Sequence, residues 1–315
     1  MPIRLSDYLK TTYGEKVYRL SLSSGCTCPN RDGSICYDRA SDSYYIGEPK
    51  DGAERLIGGC TFCSEGGSGE FAADPVDIDT QIEMAKKVIQ KKTDARKFIA
   101  YFQSYTNTYG DVERLRALYH RAISRDDIEI LSIGTRPDCI GEDILGMLIE
   151  LNKIKPVWIE LGLQTIHEET ARRINRGYKL ATFEDAYKRL KDAGITVIVH
   201  VILGLPGETK EDMLETVKYL AGLEPSLDGI KLQNLQILKG TRMYEELTNY
   251  QSMSMEEYTD LVAECIALLP ENCVVHRMTG DGPRKLLVDP LWSLDKKRVL
   301  NMLTRKTKEI YDRNK

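Results

Sequence analysis

The chain has 315 residues, 42% hydrophobic and 29% charged, with a formal net charge of −4. That is an ordinary globular balance, enough for one large domain or two small ones, and it argues against a long disordered chain. No run of 18 apolar residues and no basic-then-apolar start is present, so no membrane span and no secretory leader are expected, and the reading is a cytoplasmic protein. In a reducing compartment the eight cysteines (26, 28, 36, 60, 63, 139, 265, 273) are expected as thiols or metal ligands rather than disulfides.

Taken in chain order, Tyr18–Ser23 reads as a first strand and Asp79–Gln90 as a helix. β-Rich runs follow at Lys97–Phe102, Ile128–Ile133, Val157–Leu161, Ile195–Leu203 and Gly229–Leu235. Amphipathic stretches such as Asp111–Ser124 and Thr182–Ala193 lie between them. From the second strand on, starts fall 31, 29, 38 and 34 residues apart, the length of a βα unit. Six such units with right-handed crossovers imply a parallel sheet. The turn after each strand is polar and distinctive: the cysteine loop, QSYTNTYGD, GTRPDC, GLQTIHEET, GLPGET and QILKGTR. Sites in parallel α/β folds are built from the loops at the C-terminal ends of strands. The expected fold class is therefore α/β, an open or partial barrel of six units, with a doubly wound sheet as the other option. Residues 1–240 are assigned to it, with the cysteine loop at 26–63, and 241–315 to a C-terminal extension on the same core.

The last twenty residues hold eight Lys or Arg against Glu309 and Asp312, although the whole chain is acidic. A solvated helix face accounts for that, and phosphate contact is the functional alternative.

Five cysteines crowd into GCTCPNRDGSIC and GGCTFC. Gly58-Gly59 and Gly66-Gly67 flank the CxxC of Cys60 and Cys63, leaving the backbone free to wrap closely. Two inventories compete. Cys26, Cys28, Cys60 and Cys63 make a closed four-thiolate zinc site. Alternatively, three cysteines hold an iron–sulfur cluster with one iron open. A redox CxxC ranks third, because no thioredoxin-like context surrounds it.

CPNRDG, GGCTFC, FQSYTNTY, TRPD, ELGLQT, INRGY and GLPGET, in this order, resemble the radical S-adenosylmethionine (SAM) superfamily. The resemblance is to the bacterial subgroup similar to the radical SAM domain of the Elongator catalytic subunit, and runs from Cys28 to Leu294. It implies a partial (β/α)6 TIM-type barrel, a [4Fe–4S] cluster on Cys28, Cys60 and Cys63, and SAM at the fourth iron. The reduced cluster would cleave SAM to methionine and a 5′-deoxyadenosyl radical, with the protein supplying position and exclusion of water. It implies an electron donor such as flavodoxin or ferredoxin, and points to a tRNA wobble uridine as substrate. A small-molecule or protein-directed radical SAM oxidoreductase is the enzymatic alternative; a zinc-stabilised binding module is the non-enzymatic one. Two departures stand out: 31 residues separate Cys28 from Cys60, so residues 34–57 look like an inserted flap, and Cys26 is additional.

On the same resemblance, Gln103, Tyr105 and Thr106 meet the methionine amino group. Glu160, at the end of the fourth strand, and Gln164 meet the SAM ribose or amino group. Arg176 pairs with the SAM carboxylate, with Arg172 and Arg173 as competitors, since a guanidinium suits bidentate carboxylate binding. Gly204, in GLPGE, opens the adenine-binding segment. His200 alternates with Val199 and Val201 and is placed in the barrel interior. Cys139 is a buried thiol or a hydrogen-atom donor near the cluster. Arg136 with Asp138, and His276, Arg277, Thr279 and Asp281, are polar groups for either structure or substrate.

Overall fold

Six runs of β-branched and aromatic residues form a parallel sheet because most side chains on them are buried, on both faces of the sheet. In the computed structural model, which describes residues 2–65, 76–247, 250–280 and 282–313, they span Val17–Leu22, Lys97–Phe102, Ile128–Thr135, Val157–Gln164, Thr196–Leu203 and Gly229–Asn234. Each pairs in parallel with the next in sequence. Two strands outside the expected six, Val274–Arg277 and Ile3–Arg4, extend the sheet beyond Gly229–Asn234, giving eight strands in all.

The sheet curls until its margins approach each other. An Arg19 guanidinium nitrogen on the first strand lies 3.2 Å from Nδ1 of His276 on Val274–Arg277 and 3.9 Å from Glu160 on the fourth strand. This is the expected partial barrel. Its outer face is packed by helices, including Ile78–Gln90, Val112–Ile123, Glu142–Asn152, Leu180–Asp192 and Lys210–Ala221. Asp77, Asp111 and Thr209 cap three of them with side-chain oxygens.

Inside, the barrel is layered. Val17, Ile99, Ile130, Trp158 and Ile198 form an apolar floor, closed from below by Leu9 of the helix Leu5–Tyr13. A polar layer stands above the floor, and the space over it opens at the C-terminal ends of the strands. Residues 35–55 fold into a three-stranded antiparallel flap, Ile35–Asp38, Ser43–Ile46 and Ala53–Arg55. Its base packs where Gly177 leaves room: a Cβ there would come within 3.0 Å of Leu56 and 3.3 Å of Ile35. Its tip is tied by Asp42, 2.7 Å from Lys179 and 3.6 Å from Arg172. The helices Met255–Leu268 and Lys296–Arg313 pack together along the outside, with Val299 and Leu303 fully buried. No described helix is long and apolar enough to cross a membrane.

Candidate active site

A cavity lies at the mouth of the barrel, where parallel α/β barrels build their sites. Cys28, Cys60 and Cys63 line one end; Gln103, Tyr105, Thr106, Glu160, Gln164, Arg176 and His200 also line it.

The thiols are placed by backbone contacts. Cys28 O accepts from Arg31 N at 2.9 Å and Asp32 N at 3.0 Å, a tight turn after the first strand. Cys63 N donates to Cys60 O at 3.0 Å; Thr61 N donates to Ile174 O, and Thr61 O accepts from Met243 N. Gly58 and Gly59 approach this turn at φ 83° and 74°, a left-handed conformation that glycine adopts without steric cost. Two asparagines fasten the halves together. The buried amide of Asn30 donates to Asn175 O at 2.6 Å and to Cys60 Sγ at 3.5 Å, while the Asn175 amide donates to Gly59 O at 2.7 Å.

The thiol end is electropositive. Arg136, gripped by Asp138 at 2.9 and 2.6 Å, favours the thiolate forms of Cys28 and Cys60. A hydrogen bond from the Cys63 thiol, aided by Arg136 and Asn30, brings Cys60 down to about 7, whereas burial holds Cys28 up. Among the described residues only His167, Asp212 and Glu215 bring three potential ligand atoms within 4.8 Å of one another. No three of Cys26, Cys28, Cys60 and Cys63 do so, whereas tetrahedral zinc needs sulfurs about 3.8 Å apart. Cys26 also faces elsewhere: Arg114 donates to its sulfur at 3.2 Å, beside a separate depression. Three spread thiols around an open cavity, with an amide donor to one sulfur, suit a polynuclear cluster with one position free.

The polar layer forms the deep end of the cavity. Glu160 is 1% exposed, so it is not a carboxylate in water. It is also not at the end of its strand, which continues to Gln164. Ser132 Oγ donates to Oε1 at 3.0 Å, and His200 Nε2 and the Lys231 ammonium both reach Oε2. Burial alone would raise its pKa; Lys231 and His200 instead hold it well below the usual carboxylate range. Burial and the Lys231 charge push His200 down to about 4, so it is neutral at pH 7. Lys231, wholly buried, also donates to Tyr101 Oη at 3.1 Å.

Residues 57–220 match the radical SAM superfamily model, and 227–309 match the radical SAM C-terminal domain model. The chain belongs to the radical SAM superfamily. It is 38% identical to YtqA of Bacillus subtilis over 304 residues, 96% of this chain and 88% of YtqA. It is 30% identical to Elongator complex protein 3 of Saccharomyces cerevisiae over 160 residues, half of this chain but 28% of that protein. The N-terminally truncated Elp3 of Methanocaldococcus infernus shares the fold, with a TM-score of 0.60 at 20% identity over 72% of this chain and 57% of that one. Superfamily membership makes the chain an enzyme and implies SAM and a [4Fe–4S] cluster.

Several expectations for this radical SAM enzyme need correction. Arg176 does not offer its guanidinium to a ligand. Although the residue borders the cavity, its nitrogens donate to the carbonyls of Leu163, Thr165 and Tyr178 at 2.6 to 3.2 Å. It braces the loops after the fourth strand. Arg173 donates to Pro206 O and Glu169, and Arg172 lies 3.6 Å from Asp42 of the flap. Gly204 is not among the cavity residues: its carbonyl accepts from Tyr250, and Met253 covers it. Cys139 is not among them either, and lines the depression shared with Cys26. Arg136 and Asp138 pair with each other, and Arg136 also borders the cavity. Thr279 donates to Asn234, Arg277 to Gln233, and His276 meets Arg19. Gly66, Gly67 and Asp281 lie outside the described residues.

Asn30, Asn175, Tyr101, Arg19 and Lys231 went unread in the sequence. For the asparagines the signal lies in CPN and INRGY, where each stands beside a cysteine or an arginine of more evident chemistry. For Lys231 the signal was a lone lysine in an otherwise buried run.

Proposed function

We propose that this enzyme reductively cleaves SAM at a [4Fe–4S] cluster held by Cys28, Cys60 and Cys63, and modifies a tRNA wobble uridine. The observation that carries the reading is the convergence of these three thiols, and neither Cys26 nor Cys36, on one end of the barrel-mouth cavity. The bound, reduced cluster supplies the electron for SAM cleavage, delivered to it by a flavodoxin or ferredoxin.

The chain's own residues then position and shield. The loop at Gln103, Tyr105 and Thr106 takes the methionine end of SAM. Tyr105, held at φ 56° in the left-handed region, shares the cavity with the three thiols. Gln164, also left-handed at φ 67°, directs its amide to the ribose. Glu160 contributes less than a free carboxylate, because three of its roughly four acceptor positions are taken by Ser132, His200 and Lys231. His200, neutral, shapes the deep wall. The flap, inserted between the first and second cluster ligands, packs its base at Gly177, next to the cavity-lining Arg176 and Tyr178, and its role there is to limit water entry.

The substrate assignment rests on the motif resemblance to the Elongator radical SAM domain. It is tested by comparing modified nucleosides in total tRNA from a deletion strain and its parent. Loss or accumulation of one wobble-uridine derivative supports it, and identical profiles refute it. Anaerobic reconstitution with iron and sulfide, followed by assay for 5′-deoxyadenosine, tests the cluster independently.

A further inference from the structure

Helix Lys296–Arg313 breaks an electrostatic rule of its own stability. Its first turn holds Lys296, Lys297 and Arg298 and no acidic residue. Cations at that end face the positive pole of the helix dipole, an unfavourable placement, whereas most other long helices of this chain begin with Asp or Glu. Asp295, whose carboxylate accepts the Arg298 backbone N–H as an N-terminal cap, sets one negative charge against these three cations and leaves a net excess of two. Arg305 and Lys308 continue the exposed face toward the other end. Lys297, Arg298 and Lys308 have no ion-pair partner among the described residues, and neither do Arg284 and Lys285 just upstream. Lys306, by contrast, turns inward and pairs with Asp260 at 2.7 Å. The outward cations border a shallow depression that includes Lys297, Arg298, Asn301 and Arg305.

A local rule broken at a cost to folding marks a surface kept for binding. We propose that the outer face of this helix docks the phosphate backbone of the RNA substrate; the proposal rests on the tRNA reading above. Lys297 to Lys308 spans eleven residues, about 16 Å along the axis at 1.5 Å per residue, long enough to follow several successive phosphates of one strand. An acidic electron-transfer protein is the other polyanion at hand, but it must approach the cluster. This helix lies along the outer margin of the barrel: Arg4, on the margin strand, bonds Thr304, and Tyr311 reaches Glu271. An extended nucleic acid can be gripped there while one nucleotide enters the cavity.

The test is a variant in which Lys297, Arg298, Arg305 and Lys308 are all changed to Gln, in the full-length enzyme. Binding of unfractionated bacterial tRNA is followed by fluorescence anisotropy across a salt series. At about 150 mM salt the variant should bind at least tenfold more weakly, and its log–log salt slope should fall by roughly 2–4. Its thermal midpoint should change little, since removing Lys297 and Arg298 from the positive pole of the dipole offsets the loss of Lys308 toward the negative pole and of the Arg305–Glu309 pair. Flavodoxin-driven SAM cleavage without RNA should match the parent. Unchanged tRNA affinity overturns the proposal. Loss of flavodoxin-driven cleavage with tRNA affinity intact also overturns it and gives the surface to the reductant. A deletion strain with an unaltered nucleoside profile refutes the tRNA reading itself, whichever way the binding measurement falls.

Discussion

His200 Nε2 lies 2.9 Å from Oε2 of Glu160, the same oxygen that receives the Lys231 ammonium. One carboxylate thus organises side chains from the third to the sixth strands, and Arg19 approaches it from the first. Removing one partner of such a buried pair leaves an uncompensated charge, which costs far more than the pair contributes. Lys231→Met should lower stability by roughly 3–5 kcal/mol. Combining Glu160→Gln with Lys231→Met should recover much of that loss, because no charge is then stranded. Urea unfolding of the two singles and the double checks this. Equal losses that simply add would show that the two residues do not depend on each other.

The same network gives the apoprotein a pH dependence. His200 titrates near 4 in the folded chain against 6.5 for a free side chain. Between those values the unfolded chain binds the extra proton, so stability rises with pH across that window. It is fully present above about 6.5 and is lost as pH falls toward 4, by up to roughly 3 kcal/mol. Glu160, held low, adds a loss of the same sign further into acid. His200→Gln should flatten the stability profile between pH 4 and 6.5, as read by denaturant midpoints. An unaltered slope would mean that His200 is not buried neutral.

Much of the barrel could be read because the local pattern and the fold agree. Lys97–Phe102 is buried on both faces, so its hydrophobic run ends where the strand ends. The fourth strand runs three residues past Leu161, because Gly162 and Gln164 look like a turn in sequence yet stay in the sheet, and Glu160 therefore lies mid-strand rather than at the rim. Lys231 was invisible as a site residue because only the closure of the barrel sets it against Glu160, 71 positions away. Arg176 was misread for the opposite reason. Its chemistry suits a carboxylate, but the sequence carries no mark of the three backbone carbonyls that reach it first. The flap was legible as an insertion between cysteines, yet its docking depends on Asp42 meeting Lys179, a pairing across 137 positions.

The thiol geometry predicts iron content. Cys28→Ala, Cys60→Ala and Cys63→Ala should each strip most of the iron and sulfide after anaerobic reconstitution. Cys26→Ala should not, because its sulfur is engaged by Arg114 outside the cavity, and neither should Cys36→Ala, whose thiol faces Gly47 O inside the flap. Asn30→Ala keeps all three ligands but removes the amide that joins Cys60 to Asn175. It should therefore lower occupancy partway, through a looser loop. Full occupancy in the Cys28 variant would point to Cys26 or Cys36 as the ligand.

Gly162 offers a way to move Gln164 without deleting it. A Cβ at position 162 would sit 2.8 Å from Gln164 Nε2, so the amide must swing aside. That nitrogen is the far end of a flexible side chain, and Gly162 is not among the positive-φ glycines, so Ala fits the backbone there. Folding should change by less than about 1 kcal/mol and can improve, since Ala restricts the unfolded chain. The displaced amide loses its place beside Tyr178, whose hydroxyl donates to Gln164 Oε1 at 3.0 Å. If Gln164 binds the SAM ribose, Gly162→Ala should cost one hydrogen bond, roughly 0.5–1.5 kcal/mol, or about two- to twelvefold in SAM affinity. Calorimetry on reconstituted protein of normal iron content gives the answer, with Gln164→Ala as the companion variant. A loss of similar size in both assigns the contact to Gln164. SAM affinity at the parent value in both would remove Gln164 from the SAM site and leave the ribose to the one acceptor position still open on Glu160.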